Sequence, residues 1–119
     1  MLFLSEKIYV DNSPIHGRGV FTKELIQKGE LIEECHYIKL DASFNSISDK
    51  LKDIVFFHSV TGNFGISVVL GYGSIYNHSD LNNATWKIDT DKDCYSFFAI
   101  KDINPGEEIC TNYKKTNKF

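Results

Sequence analysis

Tyr76-Asn77-His78-Ser79 and Gly106-Glu107-Glu108-Ile109-Cys110-Thr111-Asn112-Tyr113 decide the reading of this chain, with Gly17-Arg18-Gly19-Val20-Phe21 lying roughly sixty residues before the first of them. Each stretch is weak alone. Asn77-His78-Ser79 matches an N-glycosylation acceptor, as does Asn83-Ala84-Thr85. Gly17-Arg18-Gly19 ahead of a strand is most often a turn, and no third glycine or helix follows to make a dinucleotide fingerprint. Their order within one domain length says more than any one of them.

The 119 residues are read as one domain, 1–119, with 42% hydrophobic and 24% charged residues, an ordinary composition for a globular protein. No run approaches the roughly 20 apolar residues of a membrane helix. The start, Met1 to Lys7, has neither a basic n-region nor a full apolar core, so no secretion signal is expected. Cys35, Cys94 and Cys110 are scattered and odd in number, which fits neither a disulfide framework nor a zinc site. Reduced thiols inside a cell, and hence no glycosylation, are the expectation. The net charge of −3 argues against direct contact with nucleic acid and suits a basic peptide partner. Arg18 is the sole arginine.

Short β-branched and aromatic runs punctuated by Gly, Asn and Asp predict strands at Lys7–Val10, Gly19–Lys23, Leu31–Leu40, Ile66–Leu70, Thr85–Ile88, Tyr95–Ile100 and Glu108–Asn112. The longest, Leu31–Leu40, is expected to break or bulge part-way. Helical spacing of Ile47, Leu51, Ile54, Val55 and His58 predicts a helix over Ile47–His58, capped by Ser46 or Ser48. The chain therefore reads as mostly β with one or few short helices. Val20 to Ile32 echoes Phe97 to Ile109, each reading as strand, Gly-Glu turn, strand. Two similar hairpins and an old duplication explain the echo equally well, and both predict hairpins.

A polar trio emerging from Leu70-Gly71-Tyr72-Gly73-Ser74-Ile75-Tyr76 belongs at a pocket floor or in the interior, where Asn and His need partners. For His78 alone, a satisfied core histidine is the alternative, as packing is for Tyr113. Glu107 and Glu108 are adjacent on a strand and face opposite ways, so they make no shared carboxylate site. Asp89-Thr90-Asp91-Lys92-Asp93 begins like a calcium loop, but Cys94 and Ile100 stand where the Gly and closing Glu belong. His16, His36, His58 and His78 with Cys35 show no ligand spacing, and no metal is expected.

Taken in order, these residues resemble a SET domain, the lysine methyltransferase family. Gly17-Arg18-Gly19-Val20-Phe21 resembles its first motif, and Gly29-Glu30-Leu31-Ile32-Glu33-Glu34 the strand that follows. Tyr76-Asn77-His78-Ser79 with Asn83 resembles the Asn-His-Ser-Cys-x-Pro-Asn segment, and Gly106 through Tyr113 the closing Gly-Glu-Glu-Leu-Thr-x-x-Tyr. The match runs from about residue 7 to 113, and its compactness is similar to stand-alone SET proteins of large DNA viruses and some bacteria.

The resemblance implies a β-clip fold of small twisted sheets in which the Asn-His-Ser segment and the last strand meet in a C-terminal pseudoknot. It implies protein-lysine N-methyltransferase activity with S-adenosyl-L-methionine as cofactor and a histone or histone-like basic tail as substrate. Tyr113 would be catalytic. Gly17, Arg18, Gly19, Asn77, His78 and Tyr113 would bind the cofactor, and Tyr72, Tyr76, Trp86 and Thr111 are the lysine-channel candidates, the aromatic three equally readable as core. A nuclear or chromatin location follows if the substrate is a histone. Asp80 and Asn82 depart from the family's Cys and Pro, and Thr111 stands where Phe or Tyr is frequent. No cysteine-rich tail follows Tyr113, so Phe119 or a second subunit of a homodimer is the expected substitute. The alternative is a catalytically weak SET-like binding or dimerisation module. An unrelated β-rich interaction domain is the remaining reading.

Overall fold

The computed structural model describes residues 2–41, 43–52, 54–60 and 63–112. Among these residues ten strands form three small sheets. β1 (Ile8–Asn12), β2 (Arg18–Thr22), β10 (Glu108–Thr111) and β7 (Asn77–His78) make the first, in the order β1-β2-β10-β7. β3 (Leu31–Cys35), β9 (Cys94–Ala99) and β8 (Ala84–Asp89) make the second, in the order β3-β9-β8. β4 (Tyr37–Leu40), β6 (Asn63–Val69) and β5 (Phe56–Val60) make the third, in the order β4-β6-β5. The stretch from Leu31 to Leu40 does break, at His36, and its two halves join different sheets.

The expected helix over Ile47–His58 is corrected. Among the described residues of this stretch only α1 (Asp49–Lys52) is helical, and Phe56 begins a strand that pairs with β6 in the register Phe56↔Ser67. Phe56 lies edge-on against Trp86, Tyr95 and Phe97, with ring centroids 5.1, 5.4 and 6.2 Å away. Burying that ring against three others outweighs a helical spacing of a few tenths of a kcal/mol per residue.

The two echoing segments are not hairpins either. β2 pairs with β10 (Val20↔Ile109) and β3 pairs with β9 (Leu31↔Phe98), so each segment gives its strands to the other. The exchange is two-fold symmetric to the level of single hydrogen bonds. Ile26 N–H donates to the Ile103 carbonyl at 2.9 Å and Ile103 N–H to the Ile26 carbonyl at 2.8 Å. Gly29 N–H reaches the Ala99 carbonyl at 2.8 Å, and its counterpart Gly106 N–H reaches the Thr22 carbonyl at 2.7 Å. Both glycines are left-handed, with φ of 88° and 85°, which is why each turn needs a residue without Cβ. Around this axis Val20, Ile26, Ile32, Phe97, Ile103 and Ile109 are all wholly buried. Each contributes on the order of 1.5–3 kcal/mol of apolar burial.

Candidate active site

β10 is clasped on both sides. β2 runs antiparallel to it, and β7 runs parallel with Cys110↔Asn77 and Thr111↔His78. The chain after β7 then folds back over the same strand, with Ser79 N–H donating to the Thr111 carbonyl at 2.9 Å and Asn83 N–H to the Cys110 carbonyl at 3.2 Å. Asn83 locks this crossing with its amide. Its Nδ2 donates to the Glu108 carbonyl and its Oδ1 accepts from Cys110 N–H, both at 2.8 Å. The Asn-His-Ser segment and the last strand thus meet in one place although about thirty residues separate them.

A second network ties the first motif to this knot. Glu108 turns its carboxylate toward β2, where Oε2 accepts from Asn77 Nδ2 at 2.8 Å and Oε1 from Ser13 Oγ at 2.7 Å. Asn77 Nδ2 is also 3.1 Å from the carbonyls of His16 and Arg18. Gly19 lies under the Glu108 carboxylate, in a position where a Cβ would collide with it. Glycine is required there by close approach, its φ being unremarkable. Gly17, by contrast, sits in a left-handed turn with open space around it.

These ties shape a cleft of roughly 660 Å³. Its walls are Ile15, His16 and Arg18 from the first motif, and Ser74, Ile75, Asn77 and His78 from the approach to β7. Lys52 and Ile54 close it from the α1 side. Ser74 Oγ lies 3.3 Å from the Ile54 carbonyl and 2.8 Å from that of Val69, which fixes this wall to the third sheet. His78 Nε2 is 3.2 Å from Asp80 Oδ1 at the rim. Arg18, Asn77 and His78, expected together from sequence, do line one cleft. Glu108, Ser13, Asn83's amide clamp, Lys52 and Ile54 escaped it as site residues: the first three act through strand register, and the last two come from a segment with no motif.

None of the four channel candidates lines this cleft. Tyr76 is buried in the core, stacked on Phe97 at 4.7 Å, with its hydroxyl donating to Glu33 Oε1 at 2.7 Å. Trp86 is buried between Phe56 and Tyr95. Tyr72 packs partly buried against the same core, its N–H donating to Glu33 Oε2 at 3.0 Å. Thr111 is wholly buried beside His78, and its Oγ1 has no hydrogen-bond partner among the described residues. Tyr113 and Phe119 lie outside the described residues.

Titration separates structural groups from reactive ones. Burial holds Glu33 above the ordinary carboxyl range despite the Tyr72 and Tyr76 donors. Burial first, then the Glu108 carboxylate, push the Cys110 thiol up to about 11, and burial raises Cys35 and Cys94 as well. All three cysteines are buried, and the upward shift of their thiols favours the neutral form over the reactive thiolate. Elsewhere Glu34, Asp89 and Cys94 bring three potential ligand atoms within 4.8 Å of one another, and the Lys92 ammonium ion-pairs with that Glu34 at 2.9 Å.

The SET domain model matches residues 17–114. A relative from Schizosaccharomyces pombe, a histone-lysine N-methyltransferase specific for H3 lysine-37, is 30% identical over 100 residues, covering 82% of this chain. The matched region spans 66% of that relative's own length. A crystal structure of a candidate histone methyltransferase from Plasmodium falciparum superposes with a TM-score of 0.74 at 32% identity, covering 92% of this chain and 95% of that one.

Proposed function

We propose that this chain, which belongs to the SET domain family, transfers a methyl group from S-adenosyl-L-methionine to a lysine side chain of a protein, with a histone tail as the substrate class. The observation that carries the reading is that Arg18, Asn77 and His78, far apart in sequence, line one cleft directly beside the strand that leads to Tyr113.

The residues present fit the cofactor. A cleft of roughly 660 Å³ lies within the range that holds a ligand of that size, about 300–1,000 Å³. Ile15, Ile54 and Ile75 supply apolar surface for a base, Asn77 and His78 polar groups for its edge, and Arg18 a cation for the carboxylate. When bound, S-adenosyl-L-methionine supplies a methyl activated on a cationic sulfur. Gly17 and Gly19 flank Arg18 and set the backbone path that brings it to the cleft.

The acceptor lysine must arrive neutral. From a solution pKa of about 10.4, that costs about 4.6 kcal/mol at pH 7. A dry channel and a nearby positive charge both lower the cost, by desolvation and by like-charge repulsion. The remaining task is in-line positioning of the amine, which falls to the Tyr113 hydroxyl. Thr111, beside His78, is the channel candidate next to the cofactor segment. Tyr72, Tyr76 and Trp86 support that region from the core side.

Incubation with methyl-labelled cofactor and a panel of histones tests the reading, histone H3 first because the fission-yeast relative is specific for it. Label on a histone lysine is the expected result, and a nuclear location follows from it. Absence of S-adenosylhomocysteine binding in calorimetry would favour a binding or dimerisation module instead. Sedimentation of the same sample tests for the homodimer.

A further inference from the structure

The turn from β1 into β2 forms one wall of the cleft through Ile15, His16 and Arg18, yet it has almost no packing of its own. Of residues 11–18 only Ser13 is partly covered, and the others, Ile15 at 52% among them, are exposed. Gly17 is left-handed with open space around it, so no steric wall fixes the turn. Polar ties fix it instead. Ser13 N–H donates to the Gly17 carbonyl at 2.8 Å, and Ser13 Oγ accepts from the N–H groups of Ile15 and His16 at 3.0 and 3.4 Å. The same hydroxyl donates to Glu108 Oε1 at 2.7 Å. From the other side Asn77 Nδ2 donates to Glu108 Oε2 at 2.8 Å and reaches the His16 and Arg18 carbonyls, each 3.1 Å away. Both ends of the turn are thus tied to one carboxylate on β10.

We propose that Glu108 is a positioning residue for the cofactor: through Ser13 on one oxygen and Asn77 on the other, it sets the turn that carries Ile15, His16 and Arg18 into the cleft. The inference rests on the methyl-transfer reading and adds to it the group that holds this wall in place. Counting donors shows why a carboxylate is needed. A serine hydroxyl has one proton and two acceptor sites, and the N–H groups of Ile15 and His16 occupy the acceptors. Its remaining partner must be a pure acceptor, and so must the partner of the Asn77 amino group. A carboxylate offers two such oxygens on one side chain. Glutamine, equal in size, would turn an amino group toward one of them. Facing Asn77 it sets donor against donor, and facing Ser13 it displaces Ile15 or His16. Hydrogen bonds to a charged acceptor are also about twice as strong as neutral ones.

Calorimetry with S-adenosylhomocysteine tests it on the wild type, Ser13→Ala, Ser13→Thr, Glu108→Gln and the Ser13→Ala/Glu108→Gln double variant, at a temperature where urea unfolding shows each to be folded. Ser13→Ala and Glu108→Gln should each weaken binding about tenfold, and the double variant no more than about twentyfold, because both break one chain of bonds. Ser13→Thr keeps the hydroxyl and should stay within about twofold of the wild type. Wild-type affinity in either Ser13→Ala or Glu108→Gln would overturn the inference and leave Glu108 a purely structural residue. Losses that multiply to about a hundredfold in the double variant would overturn it too. Should Glu108→Gln not fold, the two Ser13 variants decide alone, and equal affinities in them overturn it. In all these cases the methyl-transfer reading stands. A wild type that does not bind S-adenosylhomocysteine would take that reading down, and the inference with it.

Discussion

Asn77 Nδ2 donates to Glu108 Oε2 at 2.8 Å and so ties the Asn-His-Ser segment to the last strand, with Gly19 lying beneath the carboxylate. Gly19→Ala should therefore displace Glu108 and cost about 1–3 kcal/mol, the usual range for overpacking. In a Glu108→Ala background the same change should cost under about 1 kcal/mol, because the obstacle is gone. Thermal unfolding of the four proteins gives the coupling, and simple additivity would refute it.

Asn83→Ala removes both side-chain bonds to β10, leaving the Cys110 N–H and the Glu108 carbonyl unmatched. A loss of about 2–6 kcal/mol is expected, at about 1–3 kcal/mol for each of the two buried groups left without its partner. Urea unfolding measures it, and a loss below about 0.5 kcal/mol would show that the crossing holds without its clamp.

Glu33 gives a pH signature. Burial raises its carboxyl above the ordinary value of 4.5, so the folded state holds this proton more tightly than the unfolded one. The group's contribution is then most favourable below that value and declines as pH rises from 4.5 through the folded value. Glu33→Gln should remove the decline, so the variant's stability relative to wild type should climb between about pH 4.5 and 7. Parallel urea midpoints across that range would contradict the assignment.

Tyr113→Phe should lower methyl transfer at least about a hundredfold, the scale for losing a positioned catalytic hydroxyl. The melting temperature should stay within about 2 °C, because the change removes a single oxygen atom. A fully active variant would remove Tyr113 from the mechanism.

Thr111 buries a hydroxyl with no partner among the described residues. Thr111→Val keeps the shape and removes the polar atom, and should stabilise the fold by about 1 kcal/mol. Chemical denaturation checks the sign; a clear loss would mean that the hydroxyl has a partner.

What the sequence revealed and what it hid have different physical origins. Most strands were legible because β-branched and aromatic runs carry their preference locally, as at Tyr95–Ile100 and Ile66–Leu70. β5 was not, since Ile47 to His58 has helical spacing and only the ring packing of Phe56 decides otherwise. β7 is two residues long and exists only because β10 lies beside it. Arg18, Asn77 and His78 were legible through motif order. Glu108 beneath Asn77 depends on strand register, and Lys52 on the path of a loop, neither of which a single sequence displays. The hairpin expectation failed for the same reason: the Gly29 and Gly106 turns are local, but the choice of pairing partner is not.

The reciprocal bonds of Ile26 and Ile103 bind two segments that each complete the other. Neither segment pairs its own two strands with each other, so the edge of β2 away from β1 and the edge of β3 that meets β9 stay open until β9 and β10 have been synthesised. Every contact that joins the segments within one molecule is equally available between two. Refolding at high concentration is therefore the condition under which a strand-swapped dimer would compete with the monomer.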